Sequence, residues 1–163
     1  MPERRRAAAA IELSIPGRKR PLRIEHVVFD FNGTLAVGGK LARGAAARLR
    51  KLATLTHVVV MTADTFGTAR RALARLPLAV HVVRGGIEKR RLVESLGREV
   101  VAAIGNGAND VPMLGVAALG IVVVGGEGTS AEAVRAGTLL ARDINVAIDL
   151  LLEPKRLVAT LRR

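Results

Sequence analysis

Apolar residues in this chain fall in short uninterrupted runs, and amphipathic stretches separate them. The runs lie at 27–30, 57–61, 78–83, 100–104 and 119–124, with a last short one at 138–141. Continuous apolar runs of this length, rather than strict alternation, predict strands buried on both faces, as in a parallel sheet. The stretches between them predict helices over 42–53, 66–75, 87–96, 108–116, 130–136 and 144–152. Pro154 then opens a helical tail that reaches residue 163. The punctuation agrees with these boundaries. Pro77 closes one helix, Gly97 is a C-terminal cap, and Thr129 or Ser130 is an N-terminal cap. Asp64 and Thr65 are candidate caps for the helix over 66–75. Two smaller strand pairs are expected outside this rhythm. One joins 10–15 to 22–24 around Pro16-Gly17, and the other folds 35–41 around Gly38-Gly39. The fold class that follows is α/β. A three-layer Rossmann-like parallel sheet carries helices on both faces, with a short N-terminal β-hairpin added. The chain reads as a single domain over 1–163, with 1–25 a β extension and 153–163 a tail.

Composition changes this picture little. Half of the 163 residues are hydrophobic, enough for one proper core. No apolar run approaches the roughly 18 residues of a membrane span, and the N-terminus lacks the apolar core of a signal peptide. The absence of cysteine excludes disulfides and thiolate metal sites. A cytoplasmic protein is the expectation. The net charge of +12 raises nucleic-acid binding as an alternative. However, three Phe with no Tyr or Trp leave few stacking platforms for single strands. Solvated charged faces are the favoured account of the Arg content.

Four strand-end or loop positions carry chemistry, the third of them on an early helical turn. The first is Asp30, delivered by Val27-Val28-Phe29 and followed by Asn32, Gly33 and Thr34. A carboxylate there can attack phosphorus, although Asp in a tight turn is the plain alternative. The second is Thr62, whose hydroxyl could bind a phosphoryl oxygen or merely cap the next loop. The third is Lys89, a cation for the transferring charge, set against a solvent-facing helical lysine. The fourth is GNGAND, Gly105 to Asp110. Its glycines allow close approach to a charged ligand, and Asp110 offers a carboxylate to Mg²⁺. A polar turn opening the next helix is the alternative.

Taken in this order, the stretch HVVFDFNGTLA, the Lys89-Arg90-Arg91-Leu92-Val93 pattern and GNGAND resemble the haloacid dehalogenase superfamily of phosphohydrolases and phosphotransferases. The resemblance runs from about residue 25 to about 152. It is nearest to the phosphorylation domain of P-type ATPases and to the small soluble proteins similar to that domain. It implies a phosphohydrolase or ATPase-like activity, with Asp30 as nucleophile and an aspartyl-phosphate intermediate. It implies Mg²⁺ held by Asp30, the Asn32 carbonyl, Asn106 and Asp110. Thr62, Ala63, Lys89, Gly33 and Asn109 would contact a phosphorylated small molecule or nucleotide.

Two departures qualify the activity. Asn32 stands where the superfamily's phosphatases carry the carboxylate that acts as general acid and base, so turnover is expected to be slow. Asn106 replaces a carboxylate, so the metal site loses one negative charge. A HAD-fold protein that binds a phosphate compound or partner without turnover, and a basic nucleic-acid accessory protein, are the alternatives. Only 27 residues separate Thr34 from Thr62, and 26 separate Thr62 from Lys89, which leaves no room for a cap. An open site of this kind favours closure by a large substrate or by a second subunit in a homo-oligomer.

Overall fold

The apolar runs become strands, and the strands take the order that brings the four chemical stations to one edge. A computed structural model describes residues 9–64 and 67–163. Its first half contains β1 (Ile11–Leu13), β2 (Leu22–Ile24), β3 (His26–Asp30), β4 (Ala36–Val37), β5 (Lys40–Leu41), α1 (Ala45–Leu52), β6 (His57–Thr62), α2 (Thr68–Leu73) and β7 (Ala79–Val82). Then follow α3 (Gly86–Leu96), β8 (Val101–Gly105), α4 (Val111–Val116), β9 (Leu119–Val123), α5 (Ala131–Ala136), β10 (Leu139–Ala141), α6 (Ile144–Leu152) and α7 (Pro154–Leu161).

Six strands form one sheet in the order β10-β9-β8-β3-β6-β7, every pairing parallel. Strands β6 and β7 extend the sheet to one side of β3, and β8, β9 and β10 extend it to the other. The order therefore reverses between β3 and β8, the place where open α/β sheets bind ligands. Residues on the two faces of β3 belong to separate cores. Val27 and Phe29 pack with Leu49 and Leu52 of α1, Leu73 of α2, Ile148 of α6 and Leu157 of α7. Val28 packs with Val93 of α3, Met113 and Leu114 of α4, and Ala133 of α5. Helices thus cover both faces, as the apolar strands require.

The two small hairpins form as expected. β1 pairs antiparallel with β2, and β4 with β5, the latter around Gly38-Gly39. Between β3 and β6 the chain builds only this second hairpin and α1, and between β6 and β7 only α2 among the described residues.

Some helices are shorter than their sequence pattern. The helix expected over 42–53 starts at Ala45, because Gly44 takes a left-handed conformation at φ 85°. Gly67 does the same at φ 67°, so α2 starts at Thr68. Asp64 caps it by accepting from the amides of Ala69 at 2.7 Å and Arg70 at 3.3 Å. Thr65, the other candidate cap, and Phe66 lie outside the described residues. The helix expected over 108–116 divides into a 3-10 turn at Ala108–Asp110 and α4. That turn lets Asp110 fold back under its own loop.

No helix among the described residues is long and apolar enough to cross a membrane.

Candidate functional site

Side chains alternate along a strand, so Asp30 projects to the same side as Val28, toward α3. Lys89 sits on the first turn of α3. Its ammonium donates to Asp30 Oδ1 at 2.6 Å and to Asp110 Oδ1 at 2.6 Å. All three groups are buried: Lys89 and Asp30 side chains are 3% and 9% exposed, and Asp110 is fully covered. Arg90 and Arg91, which share the basic run, are exposed. A lysine under an apolar helix face is rarely buried without partners. Here its two carboxylates come from different strand ends, β3 and the loop after β8.

The GNGAND loop holds Asp110 through its own backbone. The amides of Asn106 and Gly107 both donate to Asp110 Oδ2 at 2.9 Å. That fold-back needs a glycine at 105, because a Cβ there would sit 2.6 Å from Asp110 Cγ. Asn106 is similarly tied. Its Nδ2 donates to the Gly128 carbonyl at 2.9 Å. Its Oδ1 lies 3.1 Å from Thr34 Oγ1, which is also 3.2 Å from Asp30 Oδ2. The single hydroxyl proton of Thr34 can serve only one of these oxygens at a time. Gly33, at φ 77°, passes so close to Asn106 that a Cβ would meet its amide at 2.6 Å.

Charge follows from this geometry. Two carboxylates share one ammonium, which leaves one surplus negative charge in a buried place. Burial, then repulsion from Asp110, pushes the Asp30 carboxyl up to about 6, against the pull of Lys89. Burial would lower the Lys89 ammonium, but Asp30 and Asp110 together outweigh it and raise its pKa.

Above the triad lies a cleft of about 230 Å³. Asp30, Asn32, Ala63, Lys89, Asn106 and Asn109 line it, so six of the nine sequence-expected residues converge there. The others stand beside or beneath it. Asp110 forms the floor behind Lys89, and Gly33 makes the turn against Asn106. Thr62 is buried, and its Oγ1 accepts from the Asp64 amide at 3.2 Å. Accepting in this way does not use the hydroxyl's own proton. Asn32 is exposed on the cleft wall.

Four participants escaped the sequence reading. Thr34 links Asp30 to Asn106, and the residue after Gly33 was the available signal. Arg84 and Gly85 also line the cleft, where Arg-Gly-Gly before α3 could have been noticed. Glu127 accepts from the Gly38 amide at 2.7 Å and so fastens the β4–β5 hairpin to the loop after β9. No local signal marks that contact.

No group of three His, Cys, Asp or Glu side chains among the described residues could hold a metal ion. The donors available are two carboxylates, the Asn106 amide oxygen and loop carbonyls. Such a hard-oxygen set with few carboxylates fits Mg²⁺, which keeps several of its waters. The surplus negative charge on Asp30 and Asp110 fits a dication as well.

No family model matches the chain. It is 42% identical over 80 residues to the uncharacterized protein MJ0073 of Methanocaldococcus jannaschii, a match covering 47% of this chain and 86% of that protein. It is 34% identical over 131 residues to the cation-transporting ATPase HMA5 of Oryza sativa, covering 74% of this chain but only 13% of the pump. Among solved structures it is similar to the 3-deoxy-D-manno-octulosonate 8-phosphate phosphatase of Moraxella catarrhalis, determined with magnesium, phosphate and KDO. The TM-score is 0.67, with 14% identity over 85% of this chain and 94% of that one. At such identity the likeness is one of fold.

Proposed function

The chain belongs to the haloacid dehalogenase superfamily, in one family with the archaeal protein MJ0073, and on that premise we propose that it is a Mg²⁺-dependent phosphohydrolase. Asp30 is the nucleophile. One observation carries this reading: a buried Asp30–Lys89–Asp110 triad at 2.6 Å contacts, opening into a polar cleft at the sheet's switch point.

A carboxylate oxygen of Asp30 attacks phosphorus, and the bond from phosphorus to the leaving oxygen breaks. Lys89 neutralises part of the charge that gathers there. Asp110, fixed by two backbone amides, holds Lys89 in register. Asp30, Asp110, the Asn106 amide oxygen and the Asn32 carbonyl would hold Mg²⁺, which supplies charge neutralisation on the phosphoryl oxygens. Ala63, Asn109 and Thr62 contact the phosphoryl group. Asn32 cannot give a proton to the leaving group, which must take one from water. In the second step water attacks the aspartyl-phosphate and restores Asp30. Asn32 cannot activate that water either, so the phosphoenzyme is long-lived. The substrate is a phosphorylated small molecule or nucleotide admitted by an open, capless site.

A binding role without turnover has one observation in its favour: an exposed amide, Asn32, on the cleft wall where an acid–base group would stand. A panel of phosphate monoesters and acyl phosphates, incubated with Mg²⁺ and either wild type or Asp30→Asn, separates the two. Turnover that disappears in Asp30→Asn supports the enzyme. Phosphate-compound binding without Asp30-dependent turnover on any substrate would leave the binding role.

A further inference from the structure

The loop after β9 carries an acidic residue, Glu127, at the tip of a tight turn. The Gly128 amide donates to the Gly125 carbonyl at 3.2 Å and closes that turn. The turn is seated against the chain that follows Asp30 and against the GNGAND loop. A Cβ on Gly125 would lie 3.1 Å from the Gly33 carbonyl oxygen. The Gly128 carbonyl accepts from Asn106 Nδ2 at 2.9 Å, and the Ser130 amide donates to the Asn106 carbonyl at 2.9 Å. A side chain at 127 is thereby brought to Gly33 and to the β4–β5 hairpin together.

The two oxygens of the Glu127 carboxylate are used differently. Oε1 accepts from the Gly38 amide at 2.7 Å. Oε2 lies 3.0 Å from the point that a Gly33 Cβ would occupy, and Asn106 Nδ2 lies 2.6 Å from the same point. Oε2 is therefore a near neighbour of the Asn106 side chain.

The charges elsewhere in the chain set this residue apart. With 26 Lys and Arg against 14 Asp and Glu, a cation is available to almost every acid. Among the described acidic residues only Asp64, Glu127 and Glu132 lack an ion-pair partner. Asp64 caps α2, and Glu132 sits in the first turn of α5, where a helix N-terminus favours negative charge. Glu127 has neither compensation. Its charge stands beside Asn106, where Asp30 and Asp110 already exceed Lys89 by one negative charge. With Glu127 the surplus becomes two, which matches one dication.

We propose that Glu127 is the carboxylate that compensates for Asn32 and Asn106, drawing Mg²⁺ to the site by its charge from beside Asn106 without ligating the ion. This rests on the Mg²⁺ site proposed above. Groups just outside a ligand set tune metal affinity through charge and hydrogen bonding.

Calorimetric titration of the full-length chain with MgCl₂ tests it in the wild type, Glu127→Gln and Glu127→Ala. Glu127 is exposed, so folding should survive both changes. The glutamine carbonyl can still accept from the Gly38 amide, so hydrogen exchange over 36–41 should match the wild type while the charge is gone. Glu127→Gln should nevertheless bind Mg²⁺ roughly threefold or more weakly, the modest loss expected of a hydrated charge. Glu127→Ala should lose at least as much affinity and also lose protection over 36–41. Added KCl should weaken binding more steeply in the wild type than in Glu127→Gln, because only the wild type has this charge to screen. Wild-type affinity in Glu127→Gln would overturn the proposal and leave Glu127 as a latch for the hairpin. Should the hairpin loosen in Glu127→Gln as well, equal salt slopes in the two proteins would overturn it. Failure of the underlying site reads differently: wild-type Mg²⁺ binding that Asp30→Asn does not weaken would overturn the metal site and this proposal together.

Discussion

On the proposed mechanism, replacing Asn32 by Asp should speed phosphate release. Asn32 is exposed on the cleft wall, so the new carboxylate can stay hydrated and needs no buried partner. General acid–base help is typically worth ~10²–10⁴-fold, or about 3–5 kcal/mol of barrier. The structure argues for the lower end of that range. Asp30 and Asp110 already leave one negative charge uncompensated by Lys89, and burial with Asp110 already holds the Asp30 carboxyl near 6. A third carboxylate raises it further unless Mg²⁺ is bound. The expected outcome is about 10²-fold faster phosphate release at saturating Mg²⁺ and neutral pH. Most of the gain should fall on the second step. The assay is therefore pre-steady-state: acetyl phosphate turnover, with the decay of acid-trapped phosphoenzyme measured in parallel. Release no faster than wild type, with the same phosphoenzyme lifetime, would refute the reasoning that Asn32 limits turnover.

Other outcomes follow from the same geometry. Lys89→Met leaves Asp30 and Asp110 facing each other without a cation, a loss of about 3–5 kcal/mol. Thermal unfolding in EDTA should show it, and Mg²⁺ should restore part of it. Asn106→Asp should tighten Mg²⁺ binding at least tenfold in a calorimetric titration. It should also lower the apo melting temperature, because the Nδ2 donor to the Gly128 carbonyl is lost. Folded Asp30 keeps its proton up to about pH 6, whereas the unfolded carboxyl releases it near 3.8. The folded state therefore binds more protons in that window, and Asp30's contribution to stability falls as pH rises through it. Urea unfolding in EDTA from pH 4 to 7 should show this slope in the wild type and not in Asp30→Asn. Mg²⁺ affinity should rise across the same interval as the proton leaves.

Much of this was visible in the sequence because the information is local. Each sheet strand is an apolar run ending in a turn, so periodicity and punctuation located all six. Asp30, Lys89 and Asp110 each sit at a fixed offset from such a boundary. Lys89 is set apart from Arg90 and Arg91 only by the resemblance of Lys, two residues, then Leu92-Val93 to the P-type ATPase pattern, and the structure buries that one of the three. What escaped depends on contacts between distant segments. The Glu127 link to the Gly38 amide spans 89 positions and involves a backbone donor, which no side-chain pattern reveals. Arg18 and the arginines at 162–163 read as solvated charge until the fold of β1, β2 and α7 set them around one cavity. Arg84 escaped because its place on the cleft depends on how α3 packs against the sheet.

The central claim is that Asp30 accepts a phosphoryl group. Acid-quenched protein from a reaction with acetyl phosphate and Mg²⁺ can be digested and analysed by mass spectrometry. The account predicts one phosphoryl group, labile to hydroxylamine, on the peptide that contains Asp30, and none in Asp30→Asn. Turnover without any adduct on that peptide, or the same adduct in Asp30→Asn, would contradict it.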